Sequence, residues 1–160
     1  MRMPSVQVDL DCLHRYLTAV REKQPLKVDQ PENDQELDVI KRDLTHVVRL
    51  SWRIGITVAA SRVGSLMANS QDCFTILEDE CVITKDLADV LRAAVGSWKL
   101  FATDLEEINA TVTSHFCRCF LDDFDAYLQA MREYQSQPNG PTKRARVELI
   151  SSPSPNLHKR

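Results

Sequence analysis

Apolar residues recur along this chain at steps of three and four, the spacing that lines one face of an α-helix. Leu10, Leu13, Leu17 and Val20 predict a first helix over residues 7–23, with Pro25 and Pro31 bracketing its exit. Leu37, Ile40, Leu44, Val47, Ser51, Ile54, Val58 and Ser61 then follow at steps of 3, 4, 3, 4, 3, 4 and 3, which predicts one long helix over residues 34–68. The first half of this seam is apolar and the second small, with Gly55, Ala59, Ala60 and Gly64 close by. Small side chains let a neighbouring element approach closely, so the second half is expected to pack at short range.

Ser70 is a candidate cap for a short helix in QDCFTILEDE, which ends before the apolar CVI. Thr84 is a natural N-cap for the next helix, with Asp86 well placed in its first turn. Leu87, Leu91, Ala94, Trp98, Phe101 and Leu105 carry that helix over residues 85–105. Asn109 caps the last one, whose stripe is Val112, Phe116, Phe120, Phe124, Leu128 and Met131. The fold class is therefore all-α: an antiparallel four-helix bundle with one additional short helix. Residues 1–135 form this bundle, and 136–160, rich in Ser, Pro and polar residues, are expected to be a disordered basic tail.

Composition sharpens the picture at three points. Gly is scarce at four in 160 residues, which leaves a β-rich fold without its turns. Residues 1–135 hold 15 Lys+Arg against 22 Asp+Glu and residues 136–160 hold 5 against 1, so an acidic body, net −7, carries a tail of net +4. An acidic body disfavours RNA as a general partner. The tail's PTKRARVE has the look of a nuclear-import cluster and is read as solvated.

The five cysteines, Cys12, Cys73, Cys81, Cys117 and Cys119, include no C-x-x-C pair and read as reduced thiols. No apolar stretch is long enough for a bilayer, so the expected location is the cytoplasm, with no membrane association. No cofactor or metal is expected. His115 and Cys119 lie one helical turn apart without two further ligands, and Cys117 and Cys119 face different directions on a helix. The acidic groups Glu78–Asp79–Glu80, Asp104–Glu106–Glu107 and Asp122–Asp123–Asp125 read as solvated faces.

The order of features, with VDLDCLHRYLTAVRE, ELDVIKRDLTHVVRLSWRIGITVAA, FTILEDECVITKDLADVLRAAVG and INATVTSHFCRCFLDDFDAYLQAM, resembles the HepT-like branch of the HEPN domains over roughly residues 6–133. The resemblance implies a symmetric dimer and an endoribonuclease toxin. It also implies a minimal nucleotidyltransferase as antitoxin partner, which modifies a motif tyrosine with AMP. The family's motif is an arginine, four to six residues, a histidine, one residue and a tyrosine. With the family's glycine matched to Gly96, these places hold Trp98, Thr103 and Leu105, and Lys99 stands where an asparagine is frequent.

RNA cleavage through the 2'-hydroxyl needs a group titrating near neutrality and a cation at the phosphate. Indole, threonine and leucine supply neither. None of His14, His46, His115 and His158 restores the motif elsewhere. The expected function is that of a noncatalytic dimer serving as a protein-interaction module, with no catalytic residue. The alternative is a nuclease that uses other residues. Trp98, Lys99, Thr103 and Leu105 would mark the degenerate cleft, and Val47, Ser51, Ile54, Val58, Leu91, Ala94 and Phe101 a dimer or core seam. Dimerisation through residues 34–68 and 85–105 is expected, because a single bundle cannot bury both ends of a helix ~50 Å long. Trp98 itself is read as a core or interface anchor, and Trp52 and Arg53 as packed or lining the bundle's mouth.

Overall fold

The structure, a computed structural model, describes residues 3–23, 34–64, 73–102 and 108–137. Four long helices, α1 (Pro4–Glu22), α2 (Asp34–Val63), α4 (Lys85–Ala102) and α5 (Ala110–Ser136), and the short α3 (Cys73–Asp79) account for its regular structure, with no strand among the described residues. The Ser70, the acidic group at 104–107 and the basic tail of the sequence reading lie outside the described residues.

Cross-helix bonds fix the direction of each neighbour. Asp9 meets Arg53, Tyr16 stacks on His46 and Lys23 reaches Asp43, so α1 and α2 run antiparallel. Met3 meets Gln135, Asp11 meets Arg132 and Arg21 meets Asp122, which sets α5 antiparallel to α1. Trp98 touches both Thr45 of α2 and Phe116 of α5, and Arg62 near the end of α2 reaches Glu80 just before α4. The four long helices thus make an antiparallel bundle, and α2 and α5 lie across its diagonal.

The predicted stripes point inward. Leu10, Leu13, Leu17 and Val20 of α1, Ile40, Leu44, Val47, Ile54 and Val58 of α2, Leu91 and Ala94 of α4, and Phe116, Phe124, Leu128 and Met131 of α5 are all buried. Val112 and Phe120 are partly buried at its edge. Across the diagonal the Tyr127 hydroxyl donates to the Ser51 carbonyl at 2.9 Å, so the polar member of the α2 seam marks a backbone contact. Burial holds the Tyr127 phenol well above its ordinary pKa, and it remains a donor.

One expectation changes. The long helix stops at Val63, because Gly64 adopts φ 96° and its N–H returns to the Ala60 carbonyl at 2.9 Å, an αL cap that ends the helix. Gly64 is therefore a terminator, and among the described residues nothing beyond its chain neighbours comes within 4 Å of where its Cβ would stand. Gly55 is a point of close approach, since an added Cβ would meet Cys73 Sγ at 3.0 Å and Tyr127 Oη at 3.2 Å.

The seam, expected at a dimer contact or in the core, lies within the bundle. Val47, Ser51, Ile54, Val58, Leu91 and Ala94 are covered by their own chain, with α3 laid over the small half of α2 and α5 beneath it. A helix of 30 residues, about 45 Å long, finds enough neighbours here for its inward seam, and that seam alone does not call for a second copy. The side chain of Phe101 lies outside the described residues.

Several acids on the solvated faces also clasp helices together. Asp122 and Asp125 both pair with Arg21, and Glu78 and Glu80 reach Arg92 and Arg62 at 3.6 and 3.5 Å. The caps at Thr84 and Asn109 form as expected, accepting from Leu87 and Val112 backbone N–H groups at 3.2 and 2.9 Å.

Candidate functional site

The resemblance directs attention to the outer face between α2 and α4, where Trp98 and Lys99 stand. Steps of three and four on α2 put Thr45, Val48, Arg49 and Trp52 on one stripe, and Val95, Trp98 and Lys99 face them from α4. Together they line a pocket of about 320 Å³. Thr103 and Leu105 lie outside the described residues.

Trp98 forms the floor. Only 1% of it is exposed, its ring centroid lies 4.8 Å from that of Phe116, and its Nε1 donates to the Thr45 hydroxyl at 3.0 Å. Thr45 in turn donates to the Lys41 carbonyl at 2.8 Å, so the hydroxyl is used as both donor and acceptor. The indole is thereby locked into the bundle, with its one polar atom satisfied.

Lys99 belongs to the rim. Its Nζ sits 4.4 Å from the centroid of the Trp52 ring, a cation over an aromatic face. Arg49 is exposed on the opposite wall, and among the described residues no carboxylate pairs with it or with Lys99. The pocket is apolar within and cationic at its edge. Arg53, read beside Trp52, turns away and forms a two-pronged pair with Asp9 at 2.9 and 2.6 Å.

Below the groove, buried Lys41 donates to the Ile108 carbonyl at 3.2 Å and pairs with Asp38 at 3.4 Å. This contact anchors the entry to α5 against α2. No histidine lines the pocket, so a titrating group for proton transfer is missing from its described lining.

Elsewhere, Cys119 Sγ and His115 Nε2 are 3.5 Å apart on the exposed face of α5, and no group of three or more metal-ligating side chains occurs among the described residues. Cys117, one residue from this face, is buried, and burial pushes its thiol up to about 11. No helix of the described residues is long and apolar enough to cross a membrane.

Sequence reading found Trp98, Lys99 and Trp52 but missed Thr45, Val48 and Arg49. The spacing 45, 48, 49, 52 carried that signal, yet nothing local says which helix faces it.

No protein-family model matches the chain, and no solved structure matches it. One curated relative, the mRNA nuclease HepT of Shewanella oneidensis, is 30% identical over 64 residues, which are 40% of this chain and 48% of the relative. The matched part spans about half the length of that protein. The all-helical bundle and this partial match agree in pointing to a HepT-like, HEPN relationship.

Proposed function

We propose that this chain is a noncatalytic HepT-like HEPN protein that acts as a dimeric protein-interaction module in the cytoplasm. In this reading it is the degenerate toxin-side member of a toxin–antitoxin-like pair, with a minimal nucleotidyltransferase-type protein as partner. The observation that carries the reading is the state of Trp98. At the place where the family has its arginine, the indole is buried, packed on Phe116 and bonded to Thr45. An arginine there would have to present a charge to a phosphate, and this position has become core.

Thr103 and Leu105, at the histidine and tyrosine places, support the same reading on chemical grounds: threonine does not titrate near neutrality and leucine has no hydroxyl to receive AMP. The partial identity to a nuclease supports descent and leaves activity to be measured. The test is incubation of the purified protein with tRNA and mRNA under conditions where an active relative cuts them. Both RNAs are expected to remain intact. Clean, metal-independent cleavage that disappears in Thr103→Ala or Lys99→Ala would overturn the proposal in favour of a nuclease with a different set of residues.

A further inference from the structure

The groove beside Trp98 has a composition opposite to that of the body around it. Residues 1–135 carry net −7, yet Arg49 and Lys99 stand at the rim of a pocket whose described lining includes no carboxylate. Its interior is formed by Val48, Val95, the Trp52 ring and the edge of Trp98. At about 320 Å³ it lies at the small end of ligand pockets, near the size that takes one or two anchoring side chains of a partner.

Resting on the reading of this chain as an interaction module, we propose that the groove is a docking site for an acidic segment of a partner protein. An apolar side chain of that segment enters beside Trp52, and its flanking carboxylates meet Arg49 and Lys99. Charge complementarity selects this occupant. A single short acidic segment needs only the local cations, whereas an RNA strand needs a continuous basic track and open aromatic faces. The track is interrupted, because Arg53 is already neutralised by Asp9 and the body beyond is acidic. Open faces are scarce too, since Trp98 is buried and Lys99 covers one face of Trp52. An arriving carboxylate would take Lys99 from the ring and free that face for apolar contact, which couples the two halves of recognition.

Both tryptophans of the chain line this pocket, so their emission reports on it alone. The probe is a synthetic acetylated peptide with one leucine flanked on each side by two glutamates, compared with its lysine counterpart and with oligouridine. The acidic peptide is expected to change the emission saturably and to bind less tightly as salt rises from about 50 to about 500 mM. Lys99→Glu and Arg49→Glu should each weaken it by about tenfold, while Arg118→Glu, exposed on α5, leaves it unchanged. Circular dichroism of each variant confirms that the fold is kept. A flat titration, equal binding of the lysine peptide, indifference to both charge reversals, or displacement by oligouridine at lower concentration would overturn the proposal. A concentration-dependent self-association that blocks the peptide would overturn it as well, in favour of a second copy. RNA cleavage with saturable peptide binding intact would count against the noncatalytic reading and for this site; silence of the tryptophans without cleavage would count against the site alone.

Discussion

Trp98 of α4 and Thr45 of α2, 53 residues apart in sequence, are joined by a 3.0 Å hydrogen bond from indole Nε1 to hydroxyl oxygen. The bond holds the pocket floor in one orientation. Trp98→Ala should destabilise the fold by about 3–5 kcal/mol, the usual cost of emptying a buried aromatic site. Thr45→Val keeps the volume and removes only the hydroxyl, at about 1 kcal/mol. Urea unfolding followed by circular dichroism measures both, and equal effects would show that packing around Trp98 is looser than its burial implies.

Gly55 and Gly96 should respond in opposite directions to the same substitution. Gly55→Ala sets a methyl 3.0 Å from Cys73 Sγ and should cost about 1–3 kcal/mol through overpacking. Gly96→Ala meets nothing within 4 Å among the described residues on a helix and should stabilise by about 0.5–1 kcal/mol. Thermal melts of the two variants check the pair.

Cys81 follows the end of α3 with φ 58°, and its N–H and that of Val82 return to the Glu78 and Leu77 carbonyls at 2.9 and 2.8 Å. This is the two-bond helix ending that usually places glycine in the left-handed position. Cys81→Gly should relieve the left-handed strain and raise stability by about 0.5–1 kcal/mol, or a melting point gain of about 2–4 °C. A loss would mean that the thiol contributes more than the backbone strain costs.

The thiols should alkylate in the order of their exposure. At pH 8 iodoacetamide should mark Cys119, which is exposed, well before the buried Cys73 and Cys117, as read by peptide mass spectrometry. The raised pKa of Cys117 also gives a sign for alkaline stability. The unfolded thiol ionises near 9 and the folded one near 11, so Cys117 favours the fold fully below about pH 9 and loses that contribution as pH climbs toward 11. Cys117→Ala should flatten that part of the pH–stability curve, whatever its effect at neutral pH.

Most of the architecture was legible in the sequence because the information is local. Stripes such as Leu10, Leu13, Leu17 and Val20 repeat at the helical period, and Thr84 and Asn109 cap by bonds to residues three positions on. Helix ends were less legible. Gly64 reads equally as a small packing residue or as a terminator, and only its φ decides. The α2 seam was ambiguous for a similar reason: a repeat of three and four looks the same whether it faces its own bundle or another molecule. At the groove, Trp98 and Lys99 were found through a family motif they fail to match. Thr45 and Arg49 were not found, since their role depends on which helix lies opposite.

The Met3 N–H donates to the Gln135 side chain at 3.0 Å, so the two ends of the bundle meet at one pole, beside α3. Thr45 and Trp98 lie toward the other pole, where α2 begins and α4 ends. Met3 and Gln135 therefore stand at the pole away from Thr45 and Trp98. A biotin or a fused fluorescent protein at either of these two residues would tether the molecule with its groove facing outward, and the two residues could be joined by a short linker and the chain reopened elsewhere without crossing that face.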